Sequence, residues 1–216
     1  MHGSIRDNWI LLAWTAALGC LQAGCEWYPF FPQTGLPIQE NSRRKTPEGL
    51  INQLHEAYEQ QRIDLFEDLL PTDKTFRFYV SRRFLEDPDR PNGILISERI
   101  DSGFAYIVPS EYYYWQHDNE LQSHRNLFTN ARSVRFSIEP LASPGDFRYH
   151  VDGGDTVGVE VLMVGGEIAV ETWEVIDNIT YILETLIEID RQVFYLVRDA
   201  NRDWVIKKWF DLGSSG

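Results

Sequence analysis

The chain has 216 residues, of which 43% are hydrophobic and 25% charged, and a formal net charge of -13. That balance sits near the globular norm and excludes disorder of the whole chain. The acidity, with no stripe of Lys and Arg interleaved with aromatics, excludes nucleic acid as a partner and makes anionic lipid headgroups repulsive.

Residues 9–21 are an almost uninterrupted apolar run, and no charged residue lies between Asp7 and Glu26. The run has the length of a signal-peptide core and falls short of the roughly 20 residues of a membrane span. Both cysteines, Cys20 and Cys25, lie at its end behind a glycine. This arrangement resembles the lipobox of bacterial lipoproteins. The resemblance implies that Cys25 is diacylated and becomes the N-terminus, with Cys20 as the alternative, so that acyl chains such as palmitate hold the protein to a membrane of the bacterial cell envelope. Ala23-Gly24 supplies the small pair before Cys25, and cleavage there leaves no free thiol. By lipoprotein-sorting analogy Glu26 favours the outer membrane, and the alternative is an ordinary secreted or periplasmic protein. Residues 1–24 are thus the expected signal peptide. Residues 25–45, with Pro29, Pro32 and Pro37 ahead of a polar run, read as an extended tether.

The folded domain is expected over 46–212, with a tail at 213–216. Thr46-Pro47 is a helix start, and Leu50, Ile51, Leu54, Ala57 and Tyr58 recur on one helical face. A short second helix follows, with Asp64 as its cap at capping-box spacing from Glu67 and Pro71 as its stop. Residues 75–80 read as a strand and 86–93 as turn chemistry, 94–108 show some alternation, and a third helix is expected over 118–130 with Leu121, His124, Leu127 and Phe128 on one face. The remaining segments 134–141, 157–164, 168–176, 179–189, 192–198 and 204–210 read as strands separated by punctuation such as Gly165-Gly166 and Asp177-Asn178. Helices first and a meander of strands after them is an α+β pattern, with one curved antiparallel sheet wrapped around the N-terminal helices.

Three segments together carry a family resemblance. They are Thr46 to Leu50 with Ala57-Tyr58, Arg62 to Phe66 and Phe76 to Tyr79; then Glu120 to Phe128; and finally Trp204-Val205-Ile206-Lys207-Lys208-Trp209-Phe210-Asp211. In order and spacing they resemble the nuclear-transport-factor-2-like (cystatin-like cone) superfamily, over most of 46–212. The stretches 82–108 and 176–189 are longer than that pattern requires. The resemblance implies a cone-shaped cavity, used as an enzyme site in ketosteroid isomerase, scytalone dehydratase and polyketide-cyclase relatives and as a binding surface elsewhere, and it permits a homodimer through the sheet. Fold alone does not decide between these uses.

Isomerase-like chemistry needs a carboxylate base in an apolar cavity and a donor for the developing oxyanion. The candidates are Asp64, Tyr58 and His124, with Tyr181 and Asp211 behind them. Asp64 is equally explained as a cap, Asp211 as the exposed end of the last strand and Tyr58 as core. The histidines are dispersed, so no metal site is expected, and His150 to Asp155 reads as a turn. No phosphate loop or nucleophile elbow occurs, and no cofactor is expected. The aromatic cluster Tyr112, Tyr113 and Trp115 is the candidate binding surface. These readings lead to the expectation of a lipid-anchored, non-catalytic binding or accessory protein for a small molecule or an envelope protein. A small-molecule isomerase or dehydratase with a carboxylate base is the alternative.

Overall fold

The computed structural model describes residues 40–86, 95–137, 146–176 and 179–213. Cys20, Cys25 and the tether up to residue 39 lie outside the described residues, as does most of the turn expected at 86–93. The last part of the expected tether, Glu40–Lys45, forms a 3-10 helix. Its basic residues tie it to the domain: Arg43 pairs with Glu56, and Arg44 and Lys45 both reach Asp203.

Helix α1 (Pro47–Glu59) starts as its sequence dictates. The Thr46 hydroxyl accepts a 3.1 Å bond from the Gly49 amide, Pro47 occupies the first turn, and Leu50, Ile51, Leu54, Ala57 and Tyr58 are buried. Gly49 looks misplaced inside a helix, where alanine is better by about 1 kcal/mol. Its reason is close approach: a Cβ built there would clash with the backbone oxygen of Arg43. Gly49→Ala is therefore expected to lower the urea unfolding midpoint by pushing the 3-10 helix off α1, whereas a midpoint that rises with the helix propensity would refute the close contact.

Helix α2 (Ile63–Glu67) begins two residues earlier than its sequence suggests. Gln61 turns through a φ of 51°, and the Arg62 amide bonds back to the Ala57 carbonyl, so Arg62 takes the cap position without a side-chain cap bond. Asp64 falls inside the first turn, exposed and paired with Arg62, where its charge suits the positive end of the helix.

The strands are β1 (Arg77–Tyr79), β2 (Ile96–Ile100), β3 (Ser110–Gln116), β4 (Ser133–Ser137), β5 (Phe147–Asp152), β6 (Asp155–Val164), β7 (Glu167–Ile176), β8 (Ile179–Glu188), β9 (Arg191–Arg198) and β10 (Trp204–Asp211). Helices α3 (Arg82–Glu86) and α4 (His117–Asn130) lie among them. The single expected sheet is two. Strands run β2-β3-β1-β10-β9-β6-β5 in the larger one and β4-β7-β8 in the smaller, with β1 and β10 parallel and the other pairs antiparallel.

Gly165-Gly166 explains the division. The pair, expected as a turn, has φ of 76° and 131°, conformations that leave strand geometry. It kinks one long hairpin: bonds from Gly165 to Asp190 (3.1 Å) and from Ile189 to Gly166 (2.9 Å) carry the ladder from β6/β9 into β7/β8. The two sheets are therefore the two arms of one bent ladder. The outer strand of the smaller sheet, β8, is exposed along its whole length, with Ile179, Tyr181, Ile182, Leu183, Leu186 and Ile187 each between 43% and 56% exposed.

The main core lies between α1, α2, α4 and one face of the larger sheet, and includes Leu50, Leu54, Phe66, Phe136, Phe194, Trp204 and Trp209. Trp204, Ile206 and Trp209 share that core although one residue lies between the first two and two lie between the second and third. A bulge between Ile206 and Lys208 supplies the extra residue. The opposite face carries a second cluster of Tyr79, Tyr114, Val193 and Phe210, on which Phe104 and Ile107 of segment 101–108 pack. Strands β3 and β5 are additions to the sequence reading. The aromatic run of β3 hides its alternation, and the His150 to Asp152 segment, expected as a turn, is strand up to Gly153-Gly154.

Candidate functional site

Two of the sequence candidates meet in the main core. His117, Glu120, Leu121, His124 and Phe128 form the buried stripe of α4. The Tyr58 hydroxyl lies 2.6 Å from His124 Nε2, and His124 Nδ1 lies 3.1 Å from the backbone oxygen of Glu120. A carbonyl only accepts, so Nδ1 carries the proton and Nε2 accepts from Tyr58. The Glu120 carboxyl in turn accepts from Trp115 Nε1 and lies 3.4 Å from His124 Nδ1.

Burial drives all three groups toward neutrality. It raises the Tyr58 phenol, pushes Glu120 up to about 8 despite the Trp115 bond, and lowers His124 to about 4. The contact between His124 and Glu120 is therefore a contact of neutral groups at pH 7. Aromatic rings occupy the space around it. Phe66 stacks on His124 with centroids 3.7 Å apart, and Tyr58 touches Phe128 and Phe136 at 5.5 and 4.8 Å. Donors and a protonated acid are present, buried and packed among these rings. Asp64 is not part of this group and stands exposed beside Arg62. Sequence reasoning misses Glu120, although its position one turn before His124 is the available signal.

An open pocket lies instead at one end of the larger sheet. Because β1 and β10 are parallel, their C-terminal ends are neighbours, flanked by the starts of the antiparallel strands β3 and β9. The cavity there measures about 440 Å³, within the range of small-molecule sites. Ser81, Tyr106, Tyr112, Tyr113, Arg191 and Asp211 supply its polar lining, and Val80, Leu85, Val108 and Leu212 its apolar walls.

Asp211, expected as an exposed strand end, is half-buried in this pocket. Burial raises its carboxyl, while the Gly213 amide, 3.2 Å from Oδ1, and the Ser81 hydroxyl donate to it and the nearby Asp190 charge opposes its ionisation. Arg191 donates to the Tyr106 carbonyl at 3.2 Å, and the Tyr112 hydroxyl donates to the Val108 carbonyl at 2.9 Å. The expected aromatic cluster is thus divided. Tyr112 and Tyr113 line the pocket, whereas Trp115 stacks on Phe78 at 5.0 Å and serves Glu120.

Segment 101–108 forms one wall through Tyr106 and Val108, and Glu160 holds it. This carboxylate, with no exposed surface, accepts from the Ala105 amide (2.8 Å), the Tyr106 amide (3.0 Å) and His150 Nε2 (2.6 Å). His150, on strand β5, therefore anchors a wall of the pocket from behind. Among the described residues no group of three or more His, Cys, Asp or Glu side chains could hold a metal ion.

No protein-family model matches the chain, and no curated protein is a detectable relative. Among solved structures it is similar to a nuclear transport factor 2-like superfamily protein from Salmonella enterica, at 9% identity and a TM-score of 0.45 over 82% of this chain and 95% of the other. A conserved protein from Planctomyces limnophilus is similar at 9% identity and a TM-score of 0.44, over 76% and 89% of the two chains. A ketosteroid isomerase-like protein from Erwinia carotovora atroseptica is similar at 12% identity and a TM-score of 0.39, over 79% and 95%. All three likenesses are remote, and the α+β fold of the present chain stands on its own strand pairing.

Proposed function

We propose that this chain is a non-catalytic binding or accessory protein whose ligand site is the pocket at the strand ends of the larger sheet. The nuclear-transport-factor-2-like reading of the domain, the signal peptide over 1–24 and the acyl anchor on Cys25, or alternatively Cys20, belong to the same proposal, as does a place in the bacterial envelope. The observation that carries it is the division of labour between the two faces of the sheet. Rings fill the helix-facing side and close its polar groups on one another, while the open cavity is lined by tyrosines and by polar groups suited to holding a ligand.

A second reading has one specific support. Asp211 is a half-buried carboxyl of raised affinity for protons in an open pocket, which is the environment of a general base. Its hydrogen-bond partners are Ser81 and Gly213 and not a tyrosine, while Tyr106, Tyr112 and Tyr113 line the same pocket.

An amide-resolved NMR fragment screen tests the site. Hits are expected to shift the amides of Val80, Tyr113 and Leu212 together. Fragments chemically converted during the experiment would replace the binding reading by the second one, and hits that cluster instead around α1 and α4 would remove this pocket as the site. For the anchor, intact-mass analysis of the membrane fraction should find an acylated N-terminal cysteine, and a mature chain with unmodified Cys20 and Cys25 would remove that part of the proposal.

A further inference from the structure

Asp211 and Arg191 bring opposite charges into one cavity without meeting each other. They lie on adjacent strands one register step apart, since Asp211 pairs with Gln192 and the Leu212 amide bonds to the Arg191 carbonyl. Asp211 shares a face of the pleat with its partner Gln192, so Arg191 starts on the other face, and the two side chains reach the cavity around the strand ends without meeting. Both line the pocket, yet no ion pair joins them, and neither has another counter-ion among the described residues. Of the other charged walls, Arg82 is held by Glu86 at 2.9 Å, and Glu111 is exposed at the rim.

A partly desolvated carboxylate and guanidinium with no partner of opposite sign are costly to keep. The cost is recovered when a ligand brings the complementary charges. Resting on the pocket as the binding site, we infer that its ligand is a zwitterion of amino-acid to dipeptide size, its carboxylate on Arg191, its ammonium on Asp211, and its apolar part against Tyr112, Tyr113 and Val108. The Arg191 fork suits a carboxylate geometrically, whereas an ammonium is a compact charge that a single carboxylate accepts. The cavity of about 440 Å³ leaves room for a side chain beyond the two charged groups. The near balance of charge in the lining also argues against a purely anionic or purely cationic ligand.

Saturation-transfer NMR and calorimetry with three probes separate the contributions: L-leucine, L-leucinamide, which keeps only the cation, and N-acetyl-L-leucine, which keeps only the anion. L-leucine is expected to bind at least about tenfold more tightly than either blocked probe, as expected for one lost charged hydrogen-bonded contact. Arg191→Gln should then weaken L-leucine and N-acetyl-L-leucine and leave L-leucinamide unaffected, while Asp211→Asn should do the converse. Equal binding of all three probes, or substitutions that weaken all probes alike, would overturn the zwitterion assignment. Phenol serves as an uncharged control. If phenol shifts the pocket amides and L-leucine does not, the ligand class is wrong and the pocket stands; if no probe shifts them, both the ligand class and the pocket fall.

Discussion

Replacing Glu160 by alanine should cost about 2–3 kcal/mol of stability, since it breaks a hydrogen-bond network centred on a fully buried side chain. The reason is what it leaves behind. Two backbone amides, of Ala105 and Tyr106, and the imidazole of His150 lose their common acceptor, a side chain with no exposed surface. Segment 101–108 then loses its tie to β6 and keeps the packing of Phe104 and Ile107 and the bonds that Arg191 and Tyr112 make to its carbonyls. Urea unfolding followed by tryptophan fluorescence measures the loss. Glu160→Gln keeps one acceptor but turns an amide donor toward other donors, so it should fall between alanine and wild type. Because Tyr106 and Val108 belong to this segment, the alanine variant should also bind pocket ligands more weakly at temperatures where it remains folded. A loss below about 1 kcal/mol would mean that the tie carries little of the segment's order.

The second large effect is a pH dependence. In the folded protein Glu120 holds its proton up to about pH 8, whereas in the unfolded chain it titrates near its ordinary 4.5. Between those values the folded state binds more protons, so stability from this group is fully present below 4.5 and is lost as pH rises through 8. The loss is on the order of a few kcal/mol, since a tenfold difference in proton affinity between the two states corresponds to about 1.4 kcal/mol. His124 acts in the opposite sense over a lower range. Its folded value of about 4 lies below the ordinary 6.5, so stability rises with pH across that interval and is flat above it. The two slopes oppose each other between roughly 4.5 and 6.5, and only the Glu120 slope remains from 6.5 to 8. Glu120→Gln keeps an acceptor for Trp115 but cannot ionise. The stability difference between wild type and this variant should therefore move against wild type by a few kcal/mol from pH 5 to pH 9. A difference that stays constant across that range would show that the fold does not raise the proton affinity of Glu120.

Local pattern is a sufficient guide wherever the cause of structure is local. Thr46-Pro47 and the stripe from Leu50 to Tyr58 specify α1, and the alternation of Val, Ile and Trp marks β6 to β10 nearly to the residue. What is not legible depends on distant residues meeting. The parallel pairing of β1 with β10, which makes the pocket, joins Tyr79 to Phe210, and nothing near either residue announces it. Asp211 reads as a frayed end because the wall beside it comes from Ser81 and Arg191. Gly165-Gly166 is ambiguous for a different reason: a glycine pair permits a hairpin turn or a kink equally, and the pairing of Ile189 and Asp190 across the ladder selects the kink. Glu120 escapes notice because a carboxylate on a helix is ordinarily solvated, and only its stacking in line with His124 shows otherwise.

The outer strand β8 has a consequence for how the molecule behaves in a crowd. Among the described residues it presents a ten-residue row of backbone groups with no neighbour on its far side and apolar side chains on both faces, a template onto which another strand can add. What stands against such growth is charge. Glu184 and Glu188 interrupt the row, and copies that each carry -13 repel one another before their edges can align. Salt screens that repulsion within about 10 Å at 0.1 M. Ionic strength is thus the colloidal control on this protein: dilute buffer keeps the chains apart, and concentrated salt exposes them to edge-to-edge assembly.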